Sequence, residues 1–304
     1  MDREQGFAGV MAPVLTPFGE DGAPDADRFV EHCEWLLEQG CSALAPFGTT
    51  SEGPSLGLDE RMELLEDVAD TVDPALLMPG TGSPSLADAI ALSQHAVDIG
   101  CGGVLVLPPY YFKSPTDDGL FRFYSELIEE VADNRLRLYL YNFPRMTAVP
   151  LSLDLIARLL TAYPDQIAGL KDSSGDIANT KAVISAFPSL EVFSGSEALL
   201  AETLAAGGAG CISASANVAA GPIRQLYDDL QSGSAGKSAA RVAAIREAIQ
   251  RQPLIPFLKA IVAHYREDAQ WSVVRPPLET MPEDVAAAAI RALADEHGFA
   301  PRFA

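Results

Sequence analysis

The stretch IAGLKDSSGD (167–176) places a lysine at the end of an apolar run that is typical of a buried β-strand. Lys171 follows Ile, Ala, Gly and Leu directly, in a chain with 5 lysines and 16 arginines. Burial favours the neutral form of an amine, and a neutral amine can attack a ketone to form a Schiff base. The alternative is a structural lysine that extends to the rim of the sheet or pairs with Asp172.

Seven further β-like runs precede or follow this one, and each is followed by an amphipathic stretch of helical length. This alternation predicts parallel strands joined by crossover helices. Eight such units match the size of an α/β (β/α)8 TIM barrel. The strands are predicted at residues 10–15, 43–47, 76–80, 103–107, 137–142, 167–171, 191–194 and 210–214.

A doubly wound open sheet is the alternative fold, and it needs a nucleotide site where the strand order reverses. The best candidate motif is GTGSPS (80–85), which lacks the third glycine of such sites and an acid at the expected distance. We therefore expect a barrel catalytic domain over residues 1–221 and a C-terminal helical extension over residues 222–304. The extension is alanine-rich and free of strand patterns, with a middle helix predicted at 255–265.

Composition excludes several classes of function. The net charge is −21, from 21 basic and 42 acidic residues, and such a surface repels nucleic acid. No apolar run is long enough to span a membrane, and the charged N-terminus lacks a signal-type core, so we expect a cytoplasmic protein. The four cysteines and four histidines are scattered along the chain, which makes a metal site improbable.

Residues suited to chemistry follow the predicted strands, where barrel enzymes carry their active sites. The second strand ends in FGTTSEG (47–53), a turn whose backbone N–H groups and two hydroxyls could hold a carboxylate. The alternative there is a helix start, with Ser51 or Thr50 as the N-cap and Glu52 in the first turn. The fifth strand ends in YLYNFP (139–144), and the phenol of Tyr141 could relay a proton beside Lys171.

Three more strand ends carry polar or aromatic residues. Tyr111, in PPYYFKSP (108–115), is expected to line a pocket, to cross a subunit boundary or to form a surface aromatic pair. SGSE (194–197) and ISASAN (212–217) offer small hydroxyl and backbone groups without a basic residue nearby. They therefore favour a neutral polyol over a phosphate.

The motifs GTTSE (48–52), YNFP (141–144), GLKDSSG (169–175) and GCISASANV (210–218) resemble those of a known family. This is the family of pyruvate-dependent class I aldolases that includes dihydrodipicolinate synthase and N-acetylneuraminate lyase. The resemblance covers nearly the whole chain. It implies a Schiff-base lyase without a metal or other cofactor, active on small-molecule 2-keto acids, and a homo-oligomer, commonly a tetramer.

The resemblance also implies roles for individual residues. Lys171 corresponds to the Schiff-base lysine, and Tyr141 corresponds to the proton-relay tyrosine. Thr49 and Thr50 correspond to the residues that bind the carboxylate of the keto acid. The remaining candidates are Tyr111, as an aromatic residue that enters a neighbouring active site, Ile212, as a backbone contact to the keto acid, and Ser173, Ser196 and Glu197, as contacts to substrate hydroxyls.

Substrate choice depends on a departure from the family pattern. Dihydrodipicolinate synthases usually carry the motif Y-N-x-P-x-R-T-G, whose arginine binds the substrate. The corresponding stretch of this chain is YNFPRMTA, with Met146 at the position of that arginine. A shift of one residue changes side-chain direction, so we expect that Arg145 does not replace that arginine unaided. Aldolases for sialic acid and 2-keto-3-deoxy sugar acids carry apolar or small residues where Met146 lies.

Aldol cleavage or dehydration of a 2-keto-3-deoxy sugar acid, or a related hydroxy-keto acid, is therefore the favoured function. The alternative within the family is 4-hydroxy-tetrahydrodipicolinate synthesis from pyruvate and aspartate semialdehyde. Two alternatives of other classes are a phosphate-binding barrel isomerase and a catalytically silent binding homologue.

Overall fold

The computed structural model describes residues 6–303, and its centre is a parallel sheet of seven strands. The sheet order is β2-β1-β7-β6-β5-β4-β3. Strands that are consecutive in sequence are therefore neighbours, except β2 and β3, which form the two edges, and β1 pairs with β7. A doubly wound sheet reverses its order at a switch point, and this order contains no such reversal. The strands are β1 (Gly9–Ala12), β2 (Ala43–Leu44), β3 (Val104–Val106), β4 (Leu138–Asn142), β5 (Ile167–Asp172), β6 (Glu191–Ser194) and β7 (Gly210–Ile212).

The strand predicted at 76–80 is the one that does not form as a regular strand. Residues Pro74–Leu76 form a 3-10 turn, and Pro79 has no N–H to donate to a ladder. The segment nevertheless bonds to both edges of the sheet: the Met78 N–H donates to the Leu44 carbonyl at 2.8 Å, and the Thr81 N–H donates to the Leu105 carbonyl at 3.0 Å. Residues 77–81 therefore lie between β2 and β3.

Two strands, β1 and β2, each end three residues earlier than predicted, for reasons visible in the backbone. The strand β2 ends at Leu44 because Pro46 follows and because Phe47 adopts a positive φ of 61°. The strand β1 ends at Ala12, directly before Pro13. Both early ends leave irregular backbone at the carboxyl edge of the sheet, where the candidate site lies.

The sheet is curled and separates two apolar clusters. The larger cluster lies between the strands and the helices, and the smaller one lies inside the curl. Tyr139 belongs to the inner cluster, and its ring packs over Gly103 and Gly169 on the two neighbouring strands. A Cβ atom at these glycines would lie 2.6 Å and 2.5 Å from the ring, respectively. The inner face therefore accommodates a large aromatic ring because its neighbours have no side chain.

Helices surround the sheet, and several begin and end as their sequences predict. The Ser85 side chain accepts a hydrogen bond from the Asp88 N–H, and the Ser152 side chain accepts one from the Leu155 N–H, as N-caps do. The helices are α1 (Ala26–Glu38), α2 (Leu58–Ala69), α3 (Leu86–Ile99), α4 (Asp117–Val131), α5 (Pro144–Thr147), α6 (Leu153–Ala162), α7 (Ile177–Ala186), α8 (Leu200–Ala205), α9 (Ala216–Ser232), α10 (Gly236–Gln250), α11 (Leu254–Arg266) and α12 (Glu283–His297). Among residues 6–303, no helix is both long and apolar enough to cross a membrane.

The C-terminal part of the chain is helical, as predicted. The middle helix, α11, covers the predicted 255–265 with one more residue at each end. The predicted boundary at 221/222 falls inside α9, which packs on β1 and is irregular at Ala219. The division into two domains remains a prediction.

A buried ion pair between Lys259 and Glu52 connects the C-terminal helices to the loop after β2. The Lys259 ammonium on α11 donates to the Glu52 carboxylate and to the Val273 carbonyl, each at 2.6 Å, and it lies 4.2 Å from the centre of the Phe18 ring. Burial lowers the pKa of Lys259 to about 8, and the charge of Glu52 opposes this shift. The second Glu52 oxygen accepts a hydrogen bond of 2.9 Å from the Arg275 N–H. The loop after β2 is therefore anchored by a group that lies 207 residues away in sequence.

We expect Lys259→Met to destabilise the fold by about 3–5 kcal/mol, because it leaves the Glu52 carboxylate buried without its cation. The loss is measured as the change in the free energy of unfolding in urea. The double variant Lys259→Met with Glu52→Gln is expected to lose less than the single variant. Lys181→Met removes an exposed pair with Glu202 and is the matched control, with a loss below about 1 kcal/mol. Equal losses for Lys259→Met and Lys181→Met would contradict this account.

Candidate active site

Lys171 lies at the carboxyl end of β5, with 3% of its surface exposed. It is paired in register with Tyr141 of β4, and its Nζ lies 4.4 Å from the centre of the Tyr141 ring. Within residues 6–303, no hydrogen bond or ion pair engages this ammonium nitrogen. The amine and the phenol therefore share one face of the sheet, with the amine unengaged.

The Asp172 carboxylate does not form an ion pair with the adjacent Lys171. Its carboxylate accepts hydrogen bonds from the Ser174 N–H and from three side chains on other elements, at 2.7–3.0 Å: Asn142, Asn179 and Thr180. Because side chains alternate along a strand, Lys171 and Asp172 point to opposite faces. The alternative in which Lys171 pairs with Asp172 is therefore wrong. Instead, Asp172 ties β5 to β4 and to α7 on the outer side.

The loop after β2 is a compact turn rather than a helix start. The Gly53 N–H donates to the Gly48 carbonyl at 3.0 Å, and a Cβ atom at Gly53 would lie 2.1 Å from the Phe47 oxygen. Glu52 has a positive φ of 56°, and the next α-helix begins only at Leu58. The predicted helix start with Ser51 or Thr50 as its N-cap is therefore wrong: a 3-10 turn at Gly53–Ser55 follows Glu52, which lies outside the helical region of φ and ψ.

An open cavity of about 980 Å³ covers this edge of the sheet. It brings together most of the candidate residues from five separate strand ends. The cavity wall includes Lys171, Tyr141, Thr49, Thr50, Ile212, Ser173 and Ser196. An amine, a phenol and several hydroxyls thus face one space that is large enough for a small organic acid.

Two predicted site residues lie elsewhere. Tyr111 is 73% exposed, packs edge-on against Phe112 at 5.3 Å between ring centres, and does not line the cavity. Its predicted role across a subunit boundary remains a prediction. Glu197 is buried and does not line the cavity either, because its carboxylate pairs with Arg246 at 3.2 Å and accepts a hydrogen bond from Ser213. The prediction that Glu197 contacts substrate hydroxyls is not supported by this geometry.

Arg246 is a site residue that the sequence analysis missed. It comes from α10, and its guanidinium also donates to the Ser215 hydroxyl at 2.9 Å and to the Ser213 hydroxyl at 3.2 Å. The fold therefore brings a basic residue to the ends of β6 and β7, and the expectation that none lies near them is wrong. No local pattern could have revealed this contact, because 49 residues separate Glu197 from Arg246.

The segment after β4 brings two neighbouring residues to the cavity. Residues 144–147 form one helical turn, α5, and Arg145 and Met146 both line the cavity. The expectation that Arg145 does not replace the synthase arginine unaided remains a prediction. Residues 277–282, which lie between the 3-10 turn at Ala269–Ser272 and α12, also line the cavity.

A second, smaller cavity of about 230 Å³ adjoins the first and shares Thr49 and Tyr141 with it. Tyr110 and Arg61 lie on its wall. Burial lowers the pKa of Arg61 to about 10, and burial raises the pKa of Tyr110. Among residues 6–303, no group of three or more histidine, cysteine, aspartate or glutamate side chains is arranged to hold a metal ion.

Comparison with known proteins agrees with this architecture. An uncharacterized DapA-like lyase from Chloroflexus aurantiacus is 34% identical over 281 residues, which cover 92% of this chain and 94% of that protein. The structure of dihydrodipicolinate synthase from Agrobacterium tumefaciens is 32% identical, with a TM-score of 0.87 over 94% of this chain and 98% of that chain. YagE, a prophage protein from E. coli K12 solved in complex with pyruvate, is 28% identical, with a TM-score of 0.88 over 97% and 100% of the two chains.

Residues 6–295 match the sequence profile of the dihydrodipicolinate synthetase family. This match spans nearly the whole chain and includes every strand and every residue of the cavity wall described above. The chain therefore belongs to the dihydrodipicolinate synthetase family and is a lyase of that family.

Proposed function

We propose that this lyase forms a Schiff base between Lys171 and a 2-keto acid, and that it cleaves or dehydrates a 2-keto-3-deoxy sugar acid or a related hydroxy-keto acid. One observation carries the proposal: a buried amine with no hydrogen-bond partner among residues 6–303 lies 4.4 Å from the Tyr141 ring, on the wall of a cavity that also contains two threonine hydroxyls. An unengaged amine is available to attack a carbonyl carbon.

The proposed reaction begins when the Lys171 nitrogen attacks the C2 ketone carbon, whose oxygen leaves as water. The protonated imine then accepts the electron pair of the C3–C4 bond. That bond breaks as the C4 hydroxyl loses its proton, which releases an aldehyde and leaves an enamine on Lys171. Protonation at C3 and hydrolysis by water return pyruvate and the free amine. In the dehydration variant, C3 loses a proton and the C4 hydroxyl leaves as water.

Tyr141 is proposed to relay the proton in these steps, because its ring adjoins the amine. Thr49 and Thr50 are proposed to bind the C1 carboxylate, as their compact loop presents hydroxyl and backbone groups to the cavity. Ser173 and Ser196 are proposed contacts to substrate hydroxyls, and Ile212 is a proposed contact to the keto acid. The covalent imine on Lys171 activates the substrate, so the proposed chemistry requires no cofactor.

We also propose that the chain closes into a complete (β/α)8 barrel and assembles into a homo-oligomer. Support for closure comes from the hydrogen bonds of residues 77–81 to both edge strands. Support for assembly comes from the exposed pair Tyr111 and Phe112, since contiguous exposed aromatic residues mark contact surfaces.

The synthase alternative, condensation of pyruvate with aspartate semialdehyde, has one observation in its favour. Arg145 lines the cavity despite its shifted position, and it could contact a substrate carboxylate. Met146, an apolar residue that is 61% exposed, lies beside it and favours the sugar-acid reaction.

Borohydride reduction in the presence of pyruvate is expected to attach one reduced pyruvate to Lys171, because reduction traps the imine. Peptide mass spectrometry locates the adduct. Lys171→Ala is expected to lose both the adduct and turnover, whereas Lys181→Ala, which removes an exposed lysine, is expected to retain both. An unmodified Lys171 in the native protein would exclude the Schiff-base mechanism.

Tyr141→Phe is expected to lower kcat by roughly 10²–10⁴-fold, because it removes the proton relay and leaves the amine in place. The adduct with pyruvate should still form at Lys171. Pyruvate release is measured under steady-state conditions, and Tyr163→Phe, which removes an exposed hydroxyl bonded to Glu129, is the control. Turnover that is unchanged in Tyr141→Phe would remove the relay from the mechanism.

Substrate choice is tested with a panel of 2-keto-3-deoxy acids, monitored by pyruvate release, beside the condensation of pyruvate with aspartate semialdehyde. We expect turnover of at least one sugar acid to exceed the condensation. Met146→Arg is expected to raise the condensation activity relative to cleavage, because it places a guanidinium at the position expected for a synthase. Activity in the condensation alone would overturn the sugar-acid assignment.

A further inference from the structure

One side chain of the C-terminal helices contacts two separate segments beside the cavity. Arg246 on α10 is 8% exposed, and one of its terminal nitrogens lies 3.2 Å from the Glu197 carboxylate. The same nitrogen lies 3.2 Å from the Ser213 hydroxyl and 2.9 Å from the Ser215 hydroxyl. A single guanidinium nitrogen therefore joins the segment after β6 to the segment after β7.

The segment after β7 divides its residues between the cavity and Arg246. Ile212 and Ala214 line the cavity. Ser213, which lies between them, and Ser215, which follows them, bind Arg246 instead. Every second residue of this segment thus belongs to the cavity wall, and the others hold the wall to α10.

The segment after β6 shows the same arrangement. Ser196 and Ala198 line the cavity, and Glu197 between them is buried and paired with Arg246. The Ser213 hydroxyl also donates to the Glu197 carboxylate, so the two segments bind each other as well as α10. Loss of the Arg246 side chain would therefore release both segments of the wall.

The Arg246 guanidinium is not available to bind an anion, although it lies on the cavity wall. Its other two nitrogens lie 2.8 Å and 2.9 Å from the amide oxygen of Gln250, one turn further along α10. All three guanidinium nitrogens therefore have protein partners, and Glu197 supplies the opposite charge. A buried group whose donors are all engaged is suited to fix its neighbours rather than to bind a ligand.

We propose that Arg246 is a positioning residue, which places the Ile212 backbone for contact with the keto acid by holding the segments after β6 and β7. The proposal rests on the proposed Schiff-base function, in which Ile212 contacts the keto acid that reacts with Lys171. A contact made equally before and during the reaction affects binding and leaves the rate of the bound substrate unchanged. We therefore expect loss of Arg246 to weaken keto-acid binding and to leave the reactivity of Lys171 intact.

The test measures the initial rate at which borohydride traps pyruvate on Lys171, as a function of pyruvate concentration. Arg246→Met is expected to raise the half-saturating concentration by about 10- to 100-fold, because it removes the donors that hold the wall. The maximal rate is expected to stay close to that of the native enzyme. Arg246→Lys, which keeps a cation beside Glu197, is expected to recover part of the affinity.

Two further variants separate positioning from a loss of stability. Arg246→Met also leaves the Glu197 carboxylate buried without its cation, which destabilises the fold. Addition of Glu197→Gln is expected to restore much of the melting temperature, while the half-saturating concentration remains raised. A double serine variant, Ser213→Ala with Ser215→Ala, leaves the ion pair intact and is expected to raise that concentration by less than Arg246→Met does.

Arg251→Gln is the matched control, because it removes an exposed arginine at the end of α10 that pairs with Glu247. It is expected to change neither the half-saturating concentration nor the maximal rate. An unchanged half-saturating concentration in folded Arg246→Met or in the double serine variant would overturn the proposal, and so would its return to the native value with Glu197→Gln. Absence of trapping in the native enzyme would refute the Schiff-base function, and this proposal with it.

Discussion

The alternation of side chains along β5 is the constraint on which the site depends. The Lys171 and Asp172 side chains lie on opposite faces of β5. One strand therefore carries an amine on the cavity wall and, next to it, a carboxylate that anchors the strand to α7. Four hydrogen bonds hold the Asp172 carboxylate from the outside. An acid on the inner face could have formed an ion pair with the amine and occupied it. The geometry therefore keeps acid and amine apart although they are adjacent in sequence.

The C-terminal helices supply the second part of the architecture. Lys259 on α11 holds the loop that carries Thr49 and Thr50, through the buried carboxylate of Glu52. Arg246 on α10 holds the ends of β6 and β7 through Glu197. Each contact joins a buried acid near the sheet to a base more than 45 residues away, and each is shielded from water. The helical extension is therefore part of the site rather than an appendage.

Much of the fold could be predicted from the sequence because hydrophobic periodicity is a local property. Seven of the eight strand positions and the helical C-terminal part follow from it, and so do the caps at Ser85 and Ser152. The convergence of Lys171, Tyr141, Thr49 and Thr50 could also be predicted, because parallel strands present their carboxyl ends to one edge. Long-range pairing is not encoded locally, so the roles of Glu52, Glu197 and Arg246 were missed. The approach of Arg145 to the cavity was not foreseen either, because residues 144–147 form a helical turn, in which adjacent side chains do not alternate between two faces as they do in a strand.

The irregular segment between β2 and β3 has a consequence for motion. Pro46 and Pro79 have no N–H to donate, and residues 77–81 are joined to β2 and β3 by isolated bridges rather than by a continuous ladder. These bridges form a seam in the sheet next to the turn at Phe47. The threonine loop borders that seam, whereas the amine lies on the far side, within the continuous ladder from β4 to β6. Opening of the sheet at this seam would therefore displace Thr49 and Thr50 before it displaces Lys171. Such a division would leave one wall of the cavity mobile while the other stays rigid.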